Sequence, residues 1–304
     1  MACNHHTVRE TACHGGTPLY RCDDCGLIFT GQYRRPFDPK ELYETYYRHE
    51  LSGAGRFGYG VERLIKFFRF WRAFKIFTTY PRAKSILDIG SGRGFMLYYL
   101  KRYFGYRRTA GTQISKNAYE FSRTTLGLEI YDKDLLELEF PDESFDVATV
   151  WQVLEHVQRP EQYIEKLRRL LRKGGHIIVE VPNYHSWTRA LTRKYWLGLD
   201  LAHHIYFFTP RTLCRMLEKH GFRIRKVHTF SLEYSTFLST SSLVSVMTDT
   251  DNLFFNCLQE RRFNWRIGLH ALLFFITIPL SFLVNVLLFF SRKGEVLFVG
   301  AEKV

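Results

Sequence analysis

The chain has 304 residues, 43 Lys and Arg against 30 Asp and Glu, a formal charge of +13, and is 46% hydrophobic and 24% charged. That balance excludes a disordered or collagen-like chain and suits one large core or two modest domains. Its cation excess points to an anionic partner: nucleic acid, anionic lipid or an acidic substrate. The opening MACNHHTVRE lacks the apolar stretch of a secretory signal, so a cytosolic start is expected. Six cysteines are too few for a disulfide framework, and in a reducing compartment a Cys cluster reads as metal binding.

Residues 1–35 hold four of those cysteines. Cys22-x2-Cys25 before Gly26 has the form of a zinc knuckle, a tight turn that aims two thiolates at one ion. Cys3-x2-His6 offers a second pair, and Cys3, His6, Cys22 and Cys25 together would make a closed structural zinc site in a zinc-ribbon-like segment. Cys13 and His14 are alternative members of the first pair. Four protein ligands leave no open position for chemistry.

Residues 36–84 form a basic, aromatic region with one helical stretch, VERLIKFFRFWRAFKIF. Between Val61 and Lys84 stand seven cations and one acid, Glu62, about half of the chain's excess charge. Basic residues at every third position drift round a helix of 3.6 residues per turn as a slanted ridge, with Phe67, Phe70, Trp71, Phe74 and Phe77 free to pack elsewhere. Such a ridge suits either a solvated face or a lipid-facing surface.

From Ser85 the pattern is α/β. SILDIG, RTAGTQI, FDVATVW and HIIVEVP read as strands alternating with helices, which predicts a parallel sheet with helices on both faces over residues 85–231. RIRKVHTF is a later strand, and GEVLFVGAEK within residues 294–304 another. Asp88-Ile-Gly90-Ser-Gly92-Arg-Gly94 joins the first strand to its helix, where glycines let backbone approach a ligand closely.

The spacing G-x-G-x-G behind an acid, in LDIGSGRG, resembles motif I of the class I, Rossmann-like S-adenosylmethionine-dependent methyltransferases. The resemblance covers about residues 85–230, most specifically PDESFDVATVWQVLEHVQRPEQYIEKLRRLLRKGGHIIVEVPN, and more loosely the zinc-knuckle segment. It implies S-adenosylmethionine as cofactor, held by Asp88, Gly90, Ser91, Gly92 and Gly94. Gln113 stands where the family has a ribose-binding acid, beside Ile114; an amide oxygen accepts such a bond without the strength of a carboxylate. Asp134 matches the acid near the adenine amino group, with Leu135 beside the ring, and Trp151 and Gln152 fall beside the sulfonium. The family topology also implies that the final strand runs antiparallel and inserts next to the fifth. Residues 232–293 are then an insertion between the last two strands.

Methyl transfer is an in-line displacement in which alignment supplies most of the acceleration, and a hydroxyl acceptor also needs a base, for which His is best suited. His204, ahead of Phe207, Phe208 and Thr209, matches a histidine of the zinc-knuckle methyltransferases, and His156 directly follows the fourth strand. Both are candidate bases, and both could instead only satisfy polar groups. Glu155 with His156 also resembles a segment of the ubiquinone-pathway O-methyltransferases that is associated with a divalent cation, but Gln152 fills a place where another acid would help, so no catalytic metal is expected. Tyr184, His185 and Trp187 follow the fifth strand, where substrates bind in such folds.

Ile267 to Ser291 is 25 residues without an Asp, Glu, Lys or Arg. At about 1.5 Å per residue it could span a bilayer, whose hydrocarbon is about 30 Å thick. Residues 294–304 belong to the sheet, however, so both ends should lie on one side. Pro279 sits at the midpoint, and Arg261, Arg262 and Arg266 precede the segment while Arg292 and Lys293 follow it. A re-entrant hairpin broken at Pro279 is therefore expected, anchoring the chain on the cytoplasmic face of a membrane. A buried hairpin in a cytosolic protein, a homodimer interface and a single span are its rivals. The expected function is O-methylation of a small-molecule, lipid, isoprenoid or lipid-linked saccharide acceptor at that surface. A catalytically silent scaffold and a nucleic-acid binder are the alternatives, the latter disfavoured by the apolar segment.

Overall fold

A computed structural model of the chain describes residues 7–14, 17–31, 59–250 and 265–304. β1 (Val8–His14), β2 (Thr17–Cys22) and β3 (Ile28–Thr30) form an antiparallel meander. Gly26 closes the turn after β2 at φ 77°, its N–H donating to the Cys22 carbonyl at 2.9 Å. Cys3 and His6 lie outside the described residues. The basic aromatic region contributes one helix, α1 (Tyr59–Thr79), which begins well inside the 36–84 span.

The β/α alternation then runs β4 (Ser85–Ile89), α2 (Phe95–Tyr103), β5 (Arg108–Thr112), α3 (Lys116–Thr124), β6 (Glu129–Tyr131), β7 (Phe145–Trp151), α4 (Pro160–Leu170) and β8 (Leu171–Pro182). After α5 (Trp187–Thr192) come β9 (Tyr206–Phe207), α6 (Pro210–Lys219), β10 (Phe222–His228), α7 (Ser235–Thr248), α8 (Trp265–Ser291) and β11 (Val296–Lys303). Pro160 and Pro210 start α4 and α6, where a missing N–H costs nothing, and Thr209 with Thr212 closes a capping box on α6.

The main sheet has seven strands in the order β10-β11-β8-β7-β4-β5-β6. β4 pairs in parallel with β5 and β7, while β11 runs antiparallel between β8 and β10 as the topology implied. Period-two alternation sends Leu87 and Ile89 to a core under α4 and α6, and Ile86 to a second core under α1 and α2 with Ala73, Ile76, Leu97 and Leu100. Tyr206 and Phe208 share the first core with Cys22, Leu27 and Phe29. β9 pairs with β3, so the N-terminal meander is completed by the segment that follows His204.

α1 corrects the expectation of a wholly outward basic ridge. Arg72 turns inward between Glu233 (2.8 Å) and Glu180 (3.6 Å) and lies 4.0 Å over the Trp151 ring. Arg69 also pairs with Glu233. Arg63, Lys66 and Lys75 stay exposed, and the aromatic residues Phe67, Phe70, Trp71 and Phe74 are exposed beside them.

A second correction concerns Pro279. α8 is one continuous helix with Pro279 inside it, and the hairpin is made by α7 and α8 rather than within residues 267–291. Contacts with α7 on both sides of the proline hold the axis. Phe274 packs on Phe237 before it, and after it the Asn285 Nδ2 donates to Ser239 Oγ at 2.7 Å. The residues α8 buries are Ile267, His270, Phe274, Ser281 and Asn285, mostly the polar positions of an apolar helix. Leu272, Phe275, Ile276, Leu280, Leu283, Leu287 and Phe290 face outward, Leu287 and Phe290 being 70% and 80% exposed. The most apolar 18-residue window of Ile267–Ser291, of mean hydropathy 2.5, is only 17% buried, the inverse of a helix in a water-soluble core.

Candidate active site

β4 carries Asp88 and ends at Ile89, and the chain then turns through three left-handed glycines, Gly90, Gly92 and Gly94, before α2 begins. The loop is pinned to the end of β5, since Gly90 N–H donates to Thr112 Oγ1 at 3.2 Å and Ser91 N–H to the Thr112 carbonyl at 2.8 Å. A Cβ on Gly90 would meet Val153 Cγ2 at 2.4 Å, whereas one on Gly92 would meet no protein atom within 4 Å. Packing thus demands the first glycine, and the second faces open space. Asp88 is buried beneath the loop and accepts from Thr149 Oγ1 at 2.6 Å, and burial pushes its carboxyl up to about 6.

The open space is a cavity of about 650 Å³ along the C-terminal edge of the strands. Asp88, Gly90, Ser91, Gly92, Gly94, Gln113, Ile114, Asp134, Leu135, Trp151, Gln152, His156 and His204 all line it, so residues scattered over 117 positions converge on one volume. Gln113 turns its amide oxygen to the Ser115 N–H at 2.9 Å, one lone pair being used in starting α3. Asp134 accepts from Leu136 N–H at 2.8 Å and from the Tyr163 hydroxyl, which fixes its carboxylate in the wall. Gln152 holds φ 52°, a left-handed conformation for a residue with a side chain, which costs roughly 1–3 kcal/mol and is held by its N–H bond to the Glu180 carbonyl at 2.7 Å.

At the far end of the cavity stand Glu155, His156 and His204. The Ile205 and Tyr206 N–H groups donate to the Glu155 backbone carbonyl at 2.9 and 3.1 Å, tying the loop after β7 to the segment that enters β9. His156 Nδ1 lies 3.0 Å from the His203 carbonyl and His204 Nδ1 2.9 Å from the Gly198 carbonyl, with the two rings 4.6 Å apart. Burial pulls His156 down to about 3, helped by His204, and burial lowers His204 as well. Burial pushes Glu155 up to about 8, with the charges of Glu180 and Asp200 adding to it. Burial would also raise Asp200, but the hydrogen bond with His203 Nδ1 at 2.8 Å and the neighbouring imidazoles hold it below the ordinary carboxylate range.

The sequence did not single out Arg72, Asp200, Tyr234, Phe237 or Leu238, which also line the cavity. Tyr234 stands just before α7 and Phe237 and Leu238 lie on it, and the pattern of α7 carries no catalytic signal. β8 contributes its last residue, Pro182, and the loop between it and α5 does not line the cavity. Tyr184 packs instead against Trp196 and Phe207, His185 N–H donates to Asn183, and Trp187 lies exposed, because the Tyr184 N–H bond to the Phe208 carbonyl carries this loop toward the N-terminal meander.

The profile of a methyltransferase-domain family matches residues 62–227, more than half the chain. A fatty-acid O-methyltransferase of Mycolicibacterium smegmatis is 30% identical over 115 residues, 36% of this chain and 42% of that protein. A phosphatidylethanolamine N-methyltransferase of Cereibacter sphaeroides is 29% identical over 107 residues, 32% of this chain and 50% of that protein. The chain thus matches half or less of the length of these two relatives. In fold it resembles a SAM-dependent methyltransferase from Archaeoglobus fulgidus, with a TM-score of 0.51 and 19% identity over 88% of this chain and 100% of that one. A seven-stranded sheet with its last strand reversed, a glycine loop at the end of β4 and the family profile agree: the chain belongs to the methyltransferase-domain family, the Rossmann-like S-adenosylmethionine-dependent methyltransferases.

Proposed function

We propose that this chain O-methylates a hydroxyl of a lipid, isoprenoid or lipid-linked saccharide at the cytoplasmic face of a membrane. The observation that carries the proposal is the double role of α7. Its Phe237 and Leu238, with Tyr234 just before it, wall the cavity, while Phe237 and Ser239 also pack α8, the helix that turns its apolar residues outward. An acceptor resident in the bilayer would meet the cavity at this wall. The fatty-acid and phosphatidylethanolamine relatives act on lipids, which supports the same class of acceptor.

The cavity suits S-adenosylmethionine: its volume is in the range of small-molecule sites, the space at Gly92 is open to backbone approach, and the carboxylate of Asp88 lies beneath the loop. Bound there, the cofactor supplies a methyl group on a positively charged sulfur. Asp88, Asp134 and the glycine loop bind and orient it, Trp151 and Gln152 flank the reacting end, and alignment supplies most of the acceleration. The acceptor hydroxyl loses its proton at the end of the cavity formed by Glu155, His156 and His204. One O–C bond would form as one S–C bond breaks, giving the methyl ether, the neutral thioether and a proton.

α8 presents its outward face to lipid, with its polar stripe satisfied against the Ser-rich α7, as small and polar residues do at helix contacts in membranes. The N-terminal turn at Cys22 and Cys25 takes structural zinc with Cys3 and His6. Retention of the glycine loop speaks against a silent scaffold. The inward Arg69 and Arg72 remove two cations from any surface for nucleic acid.

The test is incubation of membranes with methyl-labelled cofactor and extraction into organic and aqueous phases, wild type against Asp88→Ala. Label in an organic-phase product that depends on Asp88 is expected. Label only in protein or nucleic acid would sink the lipid acceptor.

A further inference from the structure

A second cavity, of about 370 Å³, lies on the face of the sheet that α1 covers and shares only Arg72 and Trp151 with the first. The strand register builds its floor. Glu180, Phe298 and His228 stand side by side on β8, β11 and β10, and in the next row of that face Gly300 stands between Ile178 and Lys226 and puts no side chain there. The rings of His228 and Phe298 stack at 4.3 Å. The floor continues onto α8, since His228 lies 5.9 Å from Phe289 and Phe230 lies 6.3 Å from Phe282. Phe282 and Phe289 are each 40% exposed, so the cavity adjoins the apolar face that α8 turns outward.

The charges in this cavity are not all matched. Its three carboxylates are each held by an arginine, Glu302 by Arg225 at 2.5 Å and Glu233 and Glu180 by Arg72 at 2.8 and 3.6 Å. Lys75 and Lys226 are left with no carboxylate in ion-pair contact among the described residues. Burial lowers Lys75, and the charges of Lys226 and Arg72 lower it further against the pull of Glu180. Burial takes His228 down to about 4, with Lys226 and Lys75 adding to it, so a neutral ring lies beside two ammonium groups. The Trp151 indole N–H, which can only donate, is buried in the same wall with no acceptor among the described residues. Two unmatched cations and an unmatched donor over an aromatic floor call for an anion that carries an apolar body.

We propose that this cavity binds one anionic phospholipid of the membrane, with its phosphate at Lys75 and Lys226 and its acyl chains leaving over His228 and Phe230 onto α8. The lipid source rests on the membrane reading of α8 above. The volume suits a headgroup and the carbons next to it, and the rest of the chains continue along the outward face of α8. A free phosphate ester would use the two ammonium groups but leave the aromatic floor uncovered. A head of net negative charge is preferred to a zwitterionic one, whose own ammonium would meet Lys75 and Lys226.

The full-length protein in neutral dodecyl maltoside micelles is titrated with phosphatidylglycerol, and bound lipid is counted by native mass spectrometry. One lipid should bind saturably, with phosphatidylcholine and glycerol 3-phosphate each at least tenfold weaker. Lys75→Glu with Lys226→Glu should weaken phosphatidylglycerol at least tenfold, and the milder Lys75→Gln with Lys226→Gln should act in the same direction. Lys101→Glu with Arg102→Glu, an equal charge reversal at exposed residues of α2, should leave binding unchanged. Circular dichroism identifies the folded variants, and either pair of substitutions suffices. Wild-type affinity in a folded variant, equal binding of phosphatidylcholine, or an equal loss in the α2 control overturns the site. Glycerol 3-phosphate bound as tightly as the lipid overturns the lipid as its occupant. Flotation on anionic vesicles tests the membrane reading separately: a protein that binds one lipid in micelles but does not float refutes that reading and leaves the site, and one that floats without a saturable lipid refutes the site alone.

Discussion

Alanine at Gly92 and at Gly90 should fail in different ways. Both glycines are left-handed, at φ 55° and 71°, and an alanine there costs roughly 1–2 kcal/mol of backbone strain. A methyl at Gly92 meets no protein atom within 4 Å, so strain is its whole cost to folding, about 2–6 °C in Tm. That methyl projects into the space where the cofactor's polar groups would approach the backbone. Cofactor affinity should therefore drop at least tenfold, about 1.4 kcal/mol or more. At Gly90 the same methyl would lie 2.4 Å from Val153 Cγ2, next to the strained Gln152, and overpacking adds about 1–3 kcal/mol to the strain. The assay pairs thermal melts with calorimetric titration of S-adenosylmethionine. Gly92→Ala should be folded and poor in binding, and Gly90→Ala clearly less stable. Wild-type affinity in a folded Gly92→Ala, or a smaller stability loss for Gly90→Ala than for Gly92→Ala, would refute the assignment of the loop.

The buried Glu295 accepts from Trp196 Nε1, and burial raises its carboxyl to about 7. Because its folded pKa is raised, its contribution is fully present below the unfolded value of 4.5 and is lost as pH rises through about 7. About 3 kcal/mol is at stake, so Glu295→Gln should flatten the fall in Tm between pH 5 and pH 8, and an unchanged fall would contradict this. Arg72→Ala strips a buried partner from Glu180 and Glu233 and should cost about 3–5 kcal/mol in chemical denaturation, partly recovered by adding Glu180→Gln. On α8, Leu283→Glu with Leu287→Glu should abolish co-flotation with anionic vesicles while the fold survives. Asn285→Ala, which loses the bond to Ser239, should instead lower stability by about 1–2 kcal/mol and leave flotation unchanged. Flotation of the double glutamate variant at the wild-type level would argue against lipid contact along this face.

Much of the fold was legible along the chain because its signals are local. A strand that carries Asp88 and turns on glycines, and the alternation of strands with helices after it, follow from backbone sterics and local pattern alone. The cavity residues from Asp88 to Gln152 lie at strand ends, so their order in sequence already implies their gathering at one sheet edge. The anchoring hairpin was less accessible: Pro279 signals a break, yet contacts with α7 on either side override it. Which face of α8 is buried depended equally on the partner, because a helix whose most apolar window has a mean hydropathy of 2.5 has no polar side to point outward.

What the sequence by itself determined is the sheet, the glycine loop and the presence of a long apolar segment, each written in residues a few positions apart. What only the tertiary structure decided is the company His204 keeps. Its neighbours Glu155 and His156 come from the loop after β7, and a two-strand pairing of β9 with the N-terminal β3 places it there. Contacts between segments so far apart leave no periodic trace, since the free energy that selects them arises only when the chain has closed and water has left the cluster.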